Sequence, residues 1–267
     1  MDTLVQISSK YGNAVDACTG KIVKVDFLGT FDIYLEDNES SETKVFFDTV
    51  KILQNPMDEK VVYIGKESIH AIYIQEVDEG EGGIGCGIWL SSVVLSSWIT
   101  HHKHLFKDKR VLELGCGVGL CGLTTATTTK PRSLQLTDCD TSLFQCLKTN
   151  IERNSKSMRL IPSIQPYDWI TSHQTDHDGS FDIVLASDCV YHNTRCILLD
   201  AIINKLKVNG KLIMTNPPEW NRPGFDEFIY ALQQYGDVSI ERMRLVMNKQ
   251  YSKSIWMIVF TRLAQDV

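Results

Sequence analysis

Long apolar runs are missing from this chain. Stretches such as Trp256–Phe260 fall far short of the about 20 residues that a membrane-crossing helix requires, so no transmembrane helix is expected. Met1–Lys10 contains Asp2 and lacks both a basic start and an unbroken apolar stretch, so it does not read as a signal peptide. Positive charge is not in excess either: 27 Lys and Arg stand against 33 Asp and Glu, a net charge of −6. That balance argues against nucleic acid as a partner, since affinity for phosphates comes from clustered Lys and Arg. The eight cysteines form no CxxC pair and are too sparse for a disulfide framework; they read as small, reduced, buried side chains. His101, His102 and His104 lack a cysteine or acid at ligand spacing, so no metal site is expected there. What remains is an ordinary globular composition, 43 % hydrophobic and 22 % charged over 267 residues, enough to bury a substantial core. A cytoplasmic, or also nuclear, location is the expectation.

Two compositional regions follow. Residues 1–80 alternate apolar and polar positions with many β-branched residues, predicting strands at Lys21–Phe27, Phe31–Leu35, Lys44–Phe47 and Val61–Ile64. Asp37–Ser41 is a polar, turn-rich candidate hairpin loop. This is an N-terminal β-rich module. Glu79–Gly85 then holds four glycines in seven residues and reads as a flexible connection into a second domain, residues 81–267. There a helix with Trp89, Leu90, Val93, Val94, Ser97 and Trp98 on one face precedes alternating elements. Strands are predicted at Arg110–Leu114, Ser133–Thr137, Leu160–Ile164, Phe181–Ser187 and Lys211–Thr215, and helices at Leu120–Thr127, Thr141–Asn154, Ile197–Leu206 and Phe225–Gln234. Asp140 is the expected cap of the second of these helices, and Gly210 the stop of the third. Such alternation specifies a parallel, doubly wound α/β sheet. Val238–Leu245 and Ser254–Arg262 follow one another directly, which implies an antiparallel hairpin at the sheet edge.

Val111-Leu-Glu-Leu-Gly-Cys-Gly-Val-Gly119 carries the clearest chemistry. An apolar strand ends in an acid, and Gly115, Gly117 and Gly119 then turn into a helix. Glycines there allow positive φ and let backbone approach a ligand at the carboxyl edge of the sheet. Gly117-Val-Gly-Leu-Cys-Gly122 also satisfies GxGxxG, with Asp138 about 20 residues on, as a dinucleotide site would. Spacing does not separate the two readings. Register does: the first glycine after the strand is Gly115, and Glu113 is an unfavourable neighbour for a pyrophosphate but suits a ligand with a cationic portion.

On these residues the chain resembles the class I S-adenosylmethionine-dependent methyltransferases, and within them methyltransferase family 16, a protein-lysine methyltransferase group. Gly87-Ile-Trp89-Leu90, Glu113–Gly119, Leu136-Thr-Asp138 and Asp188-Cys-Val-Tyr191 carry the resemblance, which covers Gly85 to about Arg262. It implies a Rossmann-like seven-stranded sheet with an antiparallel last hairpin. It also implies S-adenosyl-L-methionine as cofactor and a lysine side chain of a protein as substrate. A monomer is expected. Carried over by position, Glu113 and the three glycines would hold the methionine portion and Asp138 the ribose hydroxyls. Trp169 would pack on the adenine and Asp168 accept from its amine. Trp89 would border the cofactor, and Ala186 would leave it room. Asp188 and Tyr191 would face the substrate as catalytic residues. Core packing is the alternative for both tryptophans, and a helix cap for Asp138. Another side chain or a small amine as acceptor, or a cofactor-binding scaffold without turnover, are the functional alternatives.

Thr215-Asn-Pro-Pro-Glu-Trp220 is similar to the NPPY-type motif of amino-methyltransferases, but it follows the fifth strand, whereas that motif closes the fourth. Asn216–Trp220 therefore reads as a rigid turn. Glu76, Asp78, Glu79 and Glu81 form an acidic cluster suited to a basic substrate segment. Because the second domain holds every cofactor motif, the N-terminal module is the expected place for substrate selection.

Overall fold

The computed structural model describes residues 14–15, 22–23, 28–36, 44–55, 59–65, 68–77, 83–172, 179–191, 195–218, 223–247 and 251–264. The chain begins with a two-residue pair, β1 (Ala14–Val15) and β2 (Ile22–Val23). An antiparallel meander follows: β3 (Gly29–Glu36), β4 (Lys44–Gln54), β5 (Lys60–Ile64) and β6 (His70–Ile74). Its period-two alternation sends Phe31, Ile33, Val50, Ile52, Val62, Ile64, Ile72 and Ile74 into one buried cluster. After it come α1 (Leu90–His101), β7 (Arg110–Leu114), α2 (Leu120–Thr128), β8 (Ser133–Asp138), α3 (Phe144–Asn154), β9 (Ser163–Pro166) and a single turn, α4 (Trp169–Ser172). The chain closes with β10 (Phe181–Ser187), α5 (Arg195–Lys205), β11 (Leu206–Asn216), α6 (Phe225–Leu232), β12 (Gly236–Met247) and β13 (Tyr251–Arg262).

All strands from β3 onward join one eleven-stranded sheet in the order β6-β5-β4-β3-β12-β13-β11-β10-β7-β8-β9. β7 to β11 run parallel, and β13 is antiparallel to both its neighbours. The order reverses at β7, which sits between β8 and β10; such a switch point opens a crevice at the carboxyl ends of the strands. Leu112, Leu114, Val184, Ala186, Leu212 and Met214 pack with α5 and α6 on one face. Val111, Ile183, Leu185 and Ile213 pack with α1, α2 and α3 on the other. Among the described residues no helix is long and apolar enough to cross a membrane.

Several sequence expectations shift. The closing hairpin is not at the edge: β3 pairs along β12 from Phe31↔Met247 to Glu36↔Arg242 and covers backbone groups that an outermost strand would leave open. The β-rich segment is therefore continuous with the main sheet. α5 stops at Lys205, well before Gly210, because β11 starts at Leu206 opposite Phe181. Asn209, at φ 62°, then absorbs a register shift. The third parallel strand lies at Ser163–Pro166. The helix expected to show one apolar face, α1, buries nearly all of its surface, Ser91, Ser96 and Ser97 included, because it is wedged between α2 and strands from both halves of the sheet. Ser97 Oγ donates to the buried Asp48 carboxylate on β4 at 2.6 Å, a tie between helix and meander. Asp37–Ser41 lies outside the described residues, as do Asp78, Glu79 and Glu81. Glu76 is paired with Lys60 at 2.7 Å.

Ile33, at 0 % exposure, tests the continuity of the sheet. Ile33→Ala should lower the unfolding free energy by about 2–5 kcal/mol in urea titrations. Far-UV circular dichroism and tryptophan emission should lose signal together. Two separated transitions would show that the meander unfolds by itself.

Candidate active site

The glycine turn after β7 takes left-handed backbone three times, at Gly115 (φ 64°), Gly117 (φ 52°) and Gly119 (φ 93°). Close packing adds to the conformational need: a Cβ on Gly117 would lie 2.8 Å from the Gly85 carbonyl oxygen, and one on Gly115 would lie 3.1 Å from Cys189 Sγ. Hydrogen bonds hold the turn in place. Cys116 N–H donates to Thr137 O at 2.9 Å, and Gly117 N–H donates to Asp138 Oδ2 at 2.9 Å. The other oxygen of Asp138 accepts from Asp140 N–H at 3.0 Å, while Asp140 itself accepts from Ser142 N–H at 3.0 Å, capping the turn that leads into α3 as expected.

At the carboxyl ends of β7, β8 and β10 these elements enclose a cavity of about 460 Å³. It brings together Trp89, Glu113, Gly115, Gly117, Asp138, Asp168, Trp169, Asp188 and Tyr191. Two expected residues are absent from its lining. A Cβ on Gly119 would lie 2.5 Å from Leu147 Cδ1, so this glycine serves the packing of α2 on α3. Ala186 is fully buried on the opposite face, with α5 and α6, because side chains alternate along β10. The residue of that strand facing the cavity is Ser187, on the same side as Leu185 and Glu113. Counting from Ile183 by twos would have found it.

Glu113 is 2 % exposed, and its Oε2 has no hydrogen-bond partner. Burial pushes its carboxyl up to about 8; the Gly122 N–H opposes the shift and the Asp138 charge adds to it. Burial also raises Asp138, against the backbone N–H groups of Asp140, Gly117 and Cys139. Asp168 lines the cavity but accepts from Ile170 N–H at 2.9 Å and Thr171 Oγ at 3.2 Å, so it caps α4 and fixes Trp169. A Cβ on Gly115 would lie 3.4 Å from the Trp169 ring, which places the indole over the turn. The Trp89 indole N–H donates to Ile84 O at 3.0 Å and pins the 3-10 turn Gly83–Cys86. That turn, read from sequence as mere connection, is a wall of the cavity.

Asp188 holds left-handed backbone at φ 56°, a cost of roughly 1–2 kcal/mol for a residue with a Cβ, and donates its N–H to Thr215 O at 2.8 Å. Asn216 braces the same loop from β11: it accepts from Val190 N–H at 3.1 Å and donates to Val190 O at 3.4 Å. The Asn-Pro-Pro segment thus supports the site from behind. Burial, with further contributions from Cys189, Cys139 and the nearby acids, raises the Tyr191 hydroxyl to about 12, so the phenol stays protonated. His102 stacks on Trp98 at 3.8 Å, and among the described residues no group of His, Cys, Asp or Glu is placed to hold a metal ion.

The sequence model of a family described as lysine methyltransferase matches residues 67–223, more than half of the chain. Protein-lysine N-methyltransferase EEF2KMT of Bos taurus is 29 % identical over 152 residues, 49 % of this chain and 44 % of that protein. Calmodulin-lysine N-methyltransferase of Arabidopsis thaliana is 24 % identical over 174 residues, 63 % of this chain and 54 % of that protein. Protein-lysine N-methyltransferase EFM6 of Saccharomyces cerevisiae is 30 % identical over 148 residues, 48 % of this chain and 59 % of that protein. The chain spans about half the length of the curated relatives it matches. Among solved structures, TYW2 of Pyrococcus horikoshii, in complex with MeSAdo, superposes with a TM-score of 0.52 at 15 % identity, over 84 % of this chain and 76 % of that one; it shares the fold.

Glu113 makes the ligand-free protein sensitive to pH. Below its ordinary value of 4.5 the carboxyl is protonated in both folded and unfolded chains. Between 4.5 and about 8 the unfolded chain ionises while the folded one keeps its proton, so stability falls as pH rises across that window. Glu113→Gln removes this decline. Chemical denaturation without ligand should find the variant more stable than the parent at pH 8, by on the order of 4 kcal/mol, with the difference vanishing toward pH 4.5. Parallel pH profiles for the two proteins would contradict the raised, buried carboxyl.

Proposed function

This chain belongs to the lysine methyltransferase family, and from that premise we propose that it transfers a methyl group from S-adenosylmethionine to the ε-amine of a lysine in a protein substrate. The observation that carries the proposal is the buried Glu113 Oε2 without a hydrogen-bond partner, set in the cavity that also holds Asp188 and Tyr191. An unsatisfied carboxylate oxygen at such a depth favours a cationic ligand group. S-adenosylmethionine fits these residues. Glu113 would hold its ammonium, and the absence of Cβ atoms at Gly115 and Gly117 would admit it against the backbone. Each Asp138 oxygen accepts one N–H and keeps capacity for a ribose hydroxyl. Trp89 and Trp169 would flank it, with Asp168 keeping Trp169 in place.

When bound, the cofactor supplies an electrophilic methyl carbon on a cationic sulfonium. The protein's task is to present a neutral amine, although free lysine has a pKa near 10.4. Apolar walls and the protonated Tyr191 desolvate the acceptor and favour its neutral form. The Asp188 carboxylate acts in the opposite sense on that equilibrium, so its role is to bind and orient the amine. Its left-handed backbone, held by Thr215 O, fixes where the carboxylate starts from the strand end. Positioning of this kind supplies roughly 7–11 kcal/mol in favourable systems. The relatives named above carry lysine in their names, one with calmodulin as substrate. For this chain the proposal stops at the class, a lysine-bearing protein. All seven described cysteines are free, which suits the reducing cytoplasm or nucleus.

Incubating the protein with labelled S-adenosylmethionine and cell extract, then mapping the labelled residue by mass spectrometry, should place the methyl group on lysine. Label confined to arginine, histidine or glutamine would overturn the assignment. Asp188→Asn keeps a residue that tolerates left-handed backbone. It should slow transfer by about 100-fold or more while calorimetry finds cofactor affinity within a few fold of the parent. Unchanged turnover would remove Asp188 from the mechanism.

A further inference from the structure

Asn150 and Asn154 lie one turn apart on α3, at 0 % and 1 % exposure, where a polar side chain must find partners. Both find them along the open edge of β6, an outermost strand, and its continuation at Gln75. Asn154 accepts from Tyr73 N–H at 2.9 Å and donates to Tyr73 O at 2.7 Å. Asn150 accepts from Gln75 N–H at 2.8 Å and donates to Gln75 O at 3.0 Å. Each carboxamide pairs with one residue as a neighbouring strand would. The match is geometric: two residues along a strand rise about 7 Å, and four along a helix about 6 Å.

The two side chains differ in their second amide hydrogen. That of Asn154 returns to its own helix, to Asn150 O at 2.8 Å. That of Asn150 goes to Val118 O at 3.0 Å, in the middle of the glycine turn. A second route from the same strand end reaches the same place. Glu76 accepts from Ile88 N–H at 2.7 Å, and Val77 N–H donates to Cys86 O at 2.9 Å, which sets the Gly83–Cys86 turn whose Gly85 lies against Gly117.

We propose that Asn150 is a positioning residue for the cofactor: it ties the edge of the N-terminal meander to Val118, so that β6 and the glycine turn move as one body. The inference rests on the cofactor reading of the cavity. It assigns the N-terminal strands a part in cofactor binding in addition to any part in choosing substrate. Asn154 is the built-in control, since it closes the same edge without touching the turn.

The test compares Asn150→Ala, Asn150→Asp and Asn154→Ala with the parent, by calorimetric titration with S-adenosylhomocysteine and by thermal unfolding. Asn150→Asp keeps the size of the side chain and the acceptor for Gln75 N–H but loses both amide donors. Both Asn150 variants should bind about tenfold more weakly. Asn154→Ala, with a comparable loss of melting temperature, should bind within twofold of the parent. Affinity within twofold in Asn150→Asp, or an equal loss of affinity in Asn154→Ala, would overturn the proposal. Failure of the lysine reading would look different: labelled transfer to another residue type, with the affinity pattern of these variants unchanged.

Discussion

A carboxylate at the end of β8 holds the N–H of Gly117 and with it the glycine turn that walls the cavity. Three left-handed glycines in five residues would be among the least ordered segments of a chain if nothing held them. Asp138 holds them from the neighbouring strand, Thr137 O takes the N–H of Cys116, and Asn150 takes the carbonyl of Val118. The turn is thereby pre-organised before any ligand arrives. Burial raises the carboxyl of Asp138 and so opposes its charge, and the backbone N–H groups of Asp140, Gly117 and Cys139 offset part of that penalty.

The eleven-stranded sheet gives this turn a wide frame. Five parallel strands provide the switch point, and the antiparallel hairpin carries the sheet onward until β3 closes on β12. α1 crosses from one half to the other and buries serines on its way, with Asp48 as the partner of one of them. A helix so placed cannot serve one half alone. The Gly83–Cys86 turn at its entrance is also a cavity wall, so the junction between the compositional regions lies in the site.

Two features of the cavity break local rules. Glu113 is a deep carboxylate with an unsatisfied oxygen, and Asp188 adopts backbone that a side chain disfavours. Strain and unmet polarity gather where a protein binds and reacts, because the surrounding fold is rigid enough to impose them. On the proposed reading, the methyl donor's positive charge would answer the first and the second would aim a side chain at the acceptor; Asn216 stiffens the loop beneath it.

Much of the site was legible in the residues because its chemistry is local. β7 and β10 begin and end where their apolar runs do, and Glu113, Asp138, Asp188 and Tyr191 stand at the carboxyl ends of strands that short-range pattern identifies. Ala186 was misplaced because distance from a motif was weighed without the pleat, which sends alternate residues to opposite faces. Gly85, Ser187 and Asn150 carried no motif. Their parts depend on what lies across a gap of tens of residues, and one-dimensional periodicity reports a face without reporting what covers it. The sequence by itself determined the α/β order, the glycine turn and the acids at its rim, since each follows from neighbours within a few positions. Only the tertiary structure decided that the N-terminal strands extend the same sheet and reach the glycine turn through Asn150, because backbone hydrogen bonds at a sheet edge accept any partner of the right geometry and leave little trace in side-chain pattern.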